Sequence, residues 1–184
     1  MTSIFAVLSC FASFVTFLIF IVDLKRFQYP ERSIFFLSFC TLAVSGVYVY
    51  GTFYDGYACG SKSVERVPLV TQGMDNLPCT LMAVFHYYFS TAMYLWWLNL
   101  CFSWFLVTTM RWGEAPVGRV FSSYFHIIAW GLPSLMVIAV LVMNGVDGDL
   151  FSSICSVGNL QPSILFNFVV LPQAAALGEL VYWG

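Results

Sequence analysis

The stretch that decides the fold runs from Cys79 to Met110 and reads CTLMAVFHYYFSTAMYLWWLNLCFSWFLVTTM. It contains no Asp, Glu, Lys or Arg. A helix crosses the bilayer core with about 20 apolar residues, so this run spans it and projects beyond. It is too long for an ordinary core helix. Cys79 opens it, and Arg111 and Arg119 follow its other end. The two ends are therefore expected to face different compartments, with the other hydrophobic runs packed around a central helix.

Composition points the same way. Of 184 residues, 60% are hydrophobic and only 9% charged, against about 25% charged in a soluble domain. A soluble fold would need a polar surface that this chain does not supply, so an integral membrane protein is the class implied. The few basic residues form no run of the kind that binds nucleic acid. Phosphate-loop, nucleophile-elbow and zinc-protease patterns are absent. No enzyme, catalytic residue, cofactor or metal site is expected.

Working outward, residues 3–22 form a first span. Nothing basic precedes it, and it is longer than the apolar core of a signal peptide, so it reads as a helix that stays. A polar connector with Lys25, Arg26 and Arg32 follows. Pro30 holds Tyr29 out of helical geometry and suits a helix start. Residues 33–54 form a second span, and Asp55 to Pro78 a mixed loop punctuated by Gly56, Gly60, Pro68 and Gly73. After the central run, Arg111 to Arg119 reads as a connector through Gly113, Pro116 and Gly118. Residues 120–143 form a fourth span with Pro133 inside it, where the missing amide hydrogen is expected to kink the helix. Asn144 to Pro162 reads as a loop. Residues 163–184 form a fifth span containing Pro172. The expected fold is all-α, a polytopic bundle of five transmembrane helices. Barrel strands would alternate apolar and polar residues, and these runs do not.

Orientation follows from the basic residues. The first and third loops hold Lys25, Arg26, Arg32, Arg111 and Arg119; the second and fourth hold Lys62 and Arg66 beside several acids. The first and third loops are thus expected in the cytoplasm and the N-terminus outside. Cys10, Cys40 and Cys101 fall inside spans, as small buried hydrophobes. Cys59, Cys79 and Cys155 fall on the outer side, where disulfides persist. Three cysteines leave one over. The pairing taken is Cys79 with Cys155, which would pin the second outer loop across the bundle mouth. Cys59 would then need a partner upstream of Met1.

Several stretches together resemble one family. These are Arg26-Phe27-Gln28-Tyr29-Pro30-Glu31-Arg32-Ser33-Ile34-Phe35-Phe36-Leu37-Ser38, Trp96-Trp97, Trp104-Phe105-Leu106 and Arg111-Trp112-Gly113-Glu114-Ala115. Further along come Ser122-Ser123-Tyr124-Phe125-His126, Ala129-Trp130, Pro133, Cys155-Ser156-Val157-Gly158-Asn159 and Phe168-Val169-Val170-Leu171-Pro172. In order and spacing they resemble the membrane region of Frizzled receptors. Smoothened shares the Tyr-Phe-His element, and Val146-Asp147-Gly148-Asp149 looks closer to it; the Tyr-Pro-Glu-Arg loop and the Trp-Phe-Leu run favour Frizzled.

The resemblance implies a seven-helix cell-surface receptor for secreted Wnt proteins in the plasma membrane. A Cys-rich extracellular domain would bind the ligand's lipid, and the cytoplasmic face would recruit Dishevelled or a G protein. It also implies the pairing of Cys79 with Cys155, and a partner for Cys59 in the linker ahead of helix one. The Cys-rich domain, the last two helices and the Lys-Thr-x-x-x-Trp tail motif have no counterpart here, so the chain is expected to be the first five helices of such a receptor. Met136 stands where the family often has a lysine. A Smoothened-like receptor, or a truncated membrane protein without signalling of its own, is the alternative; a membrane enzyme or transporter would need polar groups converging at mid-membrane depth.

Arg26, Tyr29, Arg32, Arg111 and Trp112 are the candidate cytoplasmic docking residues. The plainer reading is that basic side chains hold loops inside and meet lipid headgroups, with Trp112 as an interface anchor. Pro133 and Pro172 are candidate flexion points. His86, Asn99, His126 and Glu179 lie in or near spans. Asn99 and His126 read as interhelical hydrogen-bonding groups, and the two histidines as too separated for a metal site. Trp96-Trp97 reads as core packing. Ala174 and Gly178, four apart, read as a close helix contact within the bundle, or else a homo- or hetero-oligomer face.

Overall fold

A computed structural model describes residues 2–22, 27, 31–53, 77–111, 113–149, 154–158, 162–174 and 178. Arg26, Tyr29, Trp112, Cys59, Glu179 and residues 54–76 lie outside the described residues.

Four long helices carry the fold: α1 Thr2–Val22, α2 Arg32–Phe53, α3 Leu77–Thr108 and α4 Glu114–Val142. A fifth, Pro162–Ala174, is shorter. By length and composition Ile4–Val22, Arg32–Gly51 and Pro116–Val142 are long and apolar enough to cross a membrane. The central helix α3 does not reach that level of apolarity, although it is the longest at 32 residues. Its surroundings explain this. It packs against α2, α4 and two short strands, Val146–Asp149 and Ile154–Val157, so its Thr80, Asn99 and Ser103 face protein and are buried. A helix enclosed by neighbours can keep polar residues that a lipid-facing one cannot.

Rings join α1 to α2. Phe17 stacks on Phe35 with centroids 5.1 Å apart and sits 5.9 Å from Phe39; Phe20 lies 4.3 Å from Phe27. The outer side of α1 is apolar and exposed, Phe5 and Phe11 among others, a surface suited to lipid. Along α2, the hydroxyls of Ser38, Thr41 and Ser45 donate to carbonyls one turn back, at 2.8, 2.8 and 2.7 Å. Each polar group is thereby satisfied within its own helix, as an apolar medium demands.

Two segments differ from the sequence reading. The connector expected up to Arg119 is shorter, because α4 begins at Glu114. Pro116 falls in the first turn, where its missing amide hydrogen costs nothing, and Val117 N–H reaches Gly113 O at 3.3 Å. The loop expected from Asn144 contains an antiparallel hairpin, β1 Val146–Asp149 with β2 Ile154–Val157, pairing Val146 with Val157 and Gly148 with Cys155. Inter-strand bonds satisfy backbone groups that a loop lying over a bundle mouth would leave open. Asn144 (φ 51) turns the chain out of α4. Gly145 N–H closes on Val140 O at 3.0 Å, and Gly158 N–H on Gly145 O at 2.9 Å.

Candidate functional site: the hairpin-capped mouth of the bundle

Cys79 at the start of α3 and Cys155 on β2 form a disulfide, with Cα atoms 5.4 Å apart and a sequence separation of 76. Both are fully buried, in a cluster with Ala83, Tyr87, Val140, Val146, Val157 and Ile164. The hairpin is therefore held covalently to α3 and by packing to α4 and the fifth helix. Gly158 (φ 77) permits a close approach, since a Cβ there would lie 2.6 Å from the Leu165 backbone nitrogen.

Beneath the hairpin lies a cavity of about 270 Å³. One wall carries polar groups from α2 and α3: Tyr48, His86, Tyr87, Ser90, Thr91 and Tyr94. Met136, Phe168 and Val169 contribute apolar wall from α4 and the fifth helix. The His86 ring meets Tyr48 edge to face, centroids 5.2 Å apart. The Tyr87 hydroxyl donates to Phe168 O at 2.8 Å, and Thr91 Oγ1 donates to Tyr87 O at 2.9 Å. Among the described residues no cluster of three or more His, Cys, Asp or Glu could hold a metal ion. The chamber combines hydroxyl and imidazole groups with an apolar wall.

Toward the other end, a second cluster of Cys40, Ala92, Trp96, Leu106, Val117, Phe125 and Ala129 binds α2, α3 and α4. Phe36 stacks on Trp96 at 4.3 Å, and His126 meets both rings, at 4.8 and 5.1 Å. Asn99 Nδ2 donates to Phe125 O at 3.4 Å, and Ser103 Oγ donates to Asn99 O at 2.7 Å. The Tyr-Phe-His element thus divides: Tyr124 is exposed, Phe125 is buried, and His126 joins the aromatic stack.

The other sequence candidates are dispersed. Arg32, Arg111 and Arg119 are exposed, the first opening α2, the second between α3 and α4 and the third in the second turn of α4. Arg111 adopts a left-handed backbone, φ 53, where α3 turns toward α4. Pro133 is fully buried within a continuous α4. Pro172 follows a π-helical segment, Leu165–Val170. One packing reading is corrected. Trp96 is fully buried, but Trp97 is 43% exposed, because successive helical residues point about 100° apart and cannot share one core. Ala174 and Gly178 are exposed, and a Cβ on Gly178 would meet nothing. The residues missed from sequence are Tyr48, Tyr87 and Tyr94. Each has an apolar body and a polar tip, and in so aromatic a chain nothing set them apart.

The chain matches the model of the Frizzled/Smoothened family membrane region over residues 1–180. It is 46% identical to Protein mom-5 of Caenorhabditis elegans over 171 residues, 92% of this chain and 30% of that protein. It is 38% identical to Frizzled-10-A of Xenopus laevis over 177 residues, 95% of this chain and 30% of that protein. With Frizzled-1 of Rattus norvegicus the identity is 39% over 171 residues, 92% of this chain and 26% of that protein. The chain thus spans about a third or less of the length of these relatives.

Proposed function

Because this chain belongs to the Frizzled/Smoothened family of membrane proteins, we propose that it supplies the first five helices of a cell-surface receptor for a secreted Wnt-type ligand. The N-terminus and the disulfide-pinned hairpin lie outside the plasma membrane. The turns at Arg32 and Arg111 lie inside, where Arg26, Tyr29, Arg32, Arg111 and Trp112 face Dishevelled or a G protein. Ligand is captured by a Cys-rich domain outside this segment, and the bundle passes on the signal by shifting between inactive and active packings. Pro133 and Pro172 are the flexion points.

One observation carries this reading: identity of 46% and 38% with mom-5 and Frizzled-10-A is sustained across more than nine-tenths of the chain. The matched span therefore takes in the helices and the hairpin together.

A chimera tests it. The matching segment of Frizzled-10-A is replaced by this chain, and Wnt-dependent transcription is measured in cells lacking their own Frizzled proteins. A ligand-dependent response near that of the parent is the expected result. A chimera that reaches the cell surface and binds ligand but gives no response would refute it.

A further inference from the structure

His86 stands in the wall of the chamber beneath the hairpin. It lies seven residues past Cys79 on α3, about 10 Å along the helix. Its ring meets Tyr48 of α2 edge to face, centroids 5.2 Å apart. The other titratable side chains among the described lining residues are phenols, Tyr48 on α2 and Tyr87 and Tyr94 on α3. From α4 come Leu132 and Met136, and β2 and the fifth helix add only uncharged groups, Ser156 and Gln173 being the polar ones. Among the described lining residues there is thus no Asp, Glu, Lys or Arg. Phenols in general stay neutral across the range where imidazole titrates. A neutral imidazole suits such a chamber. An imidazolium needs a counter-charge once it leaves water, and an aromatic face is a weak substitute for one.

We propose that His86 makes the chamber a proton-sensitive latch: around the neutral imidazole the hairpin, α3 and the fifth helix close, and a proton taken from solvent onto the ring opens that end of the bundle. Tyr87, the next residue, holds the fifth helix through its hydroxyl on Phe168 O at 2.8 Å. Water drawn in to solvate the charge competes for that bond. An opened, hydrated chamber lets the imidazole take its proton near about pH 6.5, as in water. The closed chamber offers that proton no counter-charge. The closed form is therefore most favoured above about pH 6.5 and loses ground as the pH falls. With one proton taken up per opening, the opening constant rises up to about thirtyfold between about pH 7.5 and about pH 5. The latch does not depend on which ligand the protein receives.

The test uses the full chain in lipid nanodiscs. Hydrogen-exchange protection over the Val146–Val157 hairpin and residues 162–174 is compared at about pH 7.5 and about pH 5, with the intrinsic pH dependence of exchange divided out. Native protein, His86→Gln and His126→Gln are measured side by side. His126 is the chain's other histidine and sits in the aromatic stack with Phe36 and Trp96, so its removal controls for the second titrating ring. Native and His126→Gln protein should lose about ten- to thirtyfold in protection at the lower pH, and His86→Gln less than about threefold. A native loss below about threefold, or the same loss in His86→Gln, would overturn the latch. Should His86→Gln fail to fold, spectra of nitrogen-labelled histidine in the native protein decide the matter. Imidazolium at His86 should appear together with the loss of protection; imidazolium there in a fully protected chamber overturns the proposal.

Discussion

Replacing Cys79 and Cys155 together by alanine should release the hairpin while leaving the helices in place. The 76-residue separation overstates what the bond constrains. Most of the intervening chain is α3 and α4, and their backbone bonds persist in a bilayer because no water competes for them. Only the roughly 20 residues of this segment outside those two helices have freedom to gain. Closing a loop of that length contributes about 3 kcal/mol, against about 4.5 kcal/mol if the whole segment were free. At 1.4 kcal/mol per tenfold, the hairpin's opening constant should rise about a hundredfold. Hydrogen exchange at the Gly158 amide and along the Val146–Val157 ladder reads this, and reducing the native protein should give the same pattern. If hairpin exchange is unchanged, or if α1 and α2 accelerate as much as the hairpin, the disulfide does not act as a local pin.

Three other substitutions probe the packing. Gly158→Ala should cost about 2 kcal/mol or more, because the backbone sits at φ 77 and the added Cβ meets the Leu165 backbone at 2.6 Å; the loss would appear as a lowered denaturation midpoint with the hairpin opening first. Trp96→Ala removes a fully buried ring stacked on Phe36 and should cost about 3–5 kcal/mol, whereas Trp97→Ala should cost under about 1 kcal/mol; comparing their midpoints in detergent checks the ratio. Arg111→Gly relieves a left-handed backbone at φ 53 and should leave stability unchanged or raise it by under about 1 kcal/mol. In the chimeric receptor the same substitution should weaken cytoplasmic coupling if the arginine faces a partner.

Much of this fold could be read from hydrophobic run length. The edges of α1, α2 and α3 fall within about two residues of the expected spans, because apolar runs end where loops turn polar. The start of α4 was hidden by Gly113, Pro116 and Gly118, which read as breakers; proline in a first turn is permitted, and only the structure shows that Pro116 is there. The hairpin was illegible for a different reason. Val146-Asp147-Gly148-Asp149 has two acids and a glycine among four residues, all depleted in strands, and it is ordered by the disulfide and the buried Val146 and Val157. Asn99 announced itself as a polar residue in a span and makes an interhelical bond. Tyr87 did not, because the carbonyl it meets, Phe168 O, lies 81 positions later and sequence alone cannot bring it near.

Topology is the most direct test of a family membrane bundle oriented with its disulfide outside. Epitopes would be inserted before Met1, at the hairpin tip between Asp149 and Ile154, and after Arg111, and antibody access compared in intact and permeabilised cells. The first two should be labelled in intact cells and the third only after permeabilisation. Labelling of the Arg111 insertion in intact cells, with the hairpin protected, would place Cys79 and Cys155 on the reducing side and contradict both the orientation and the receptor reading built on it.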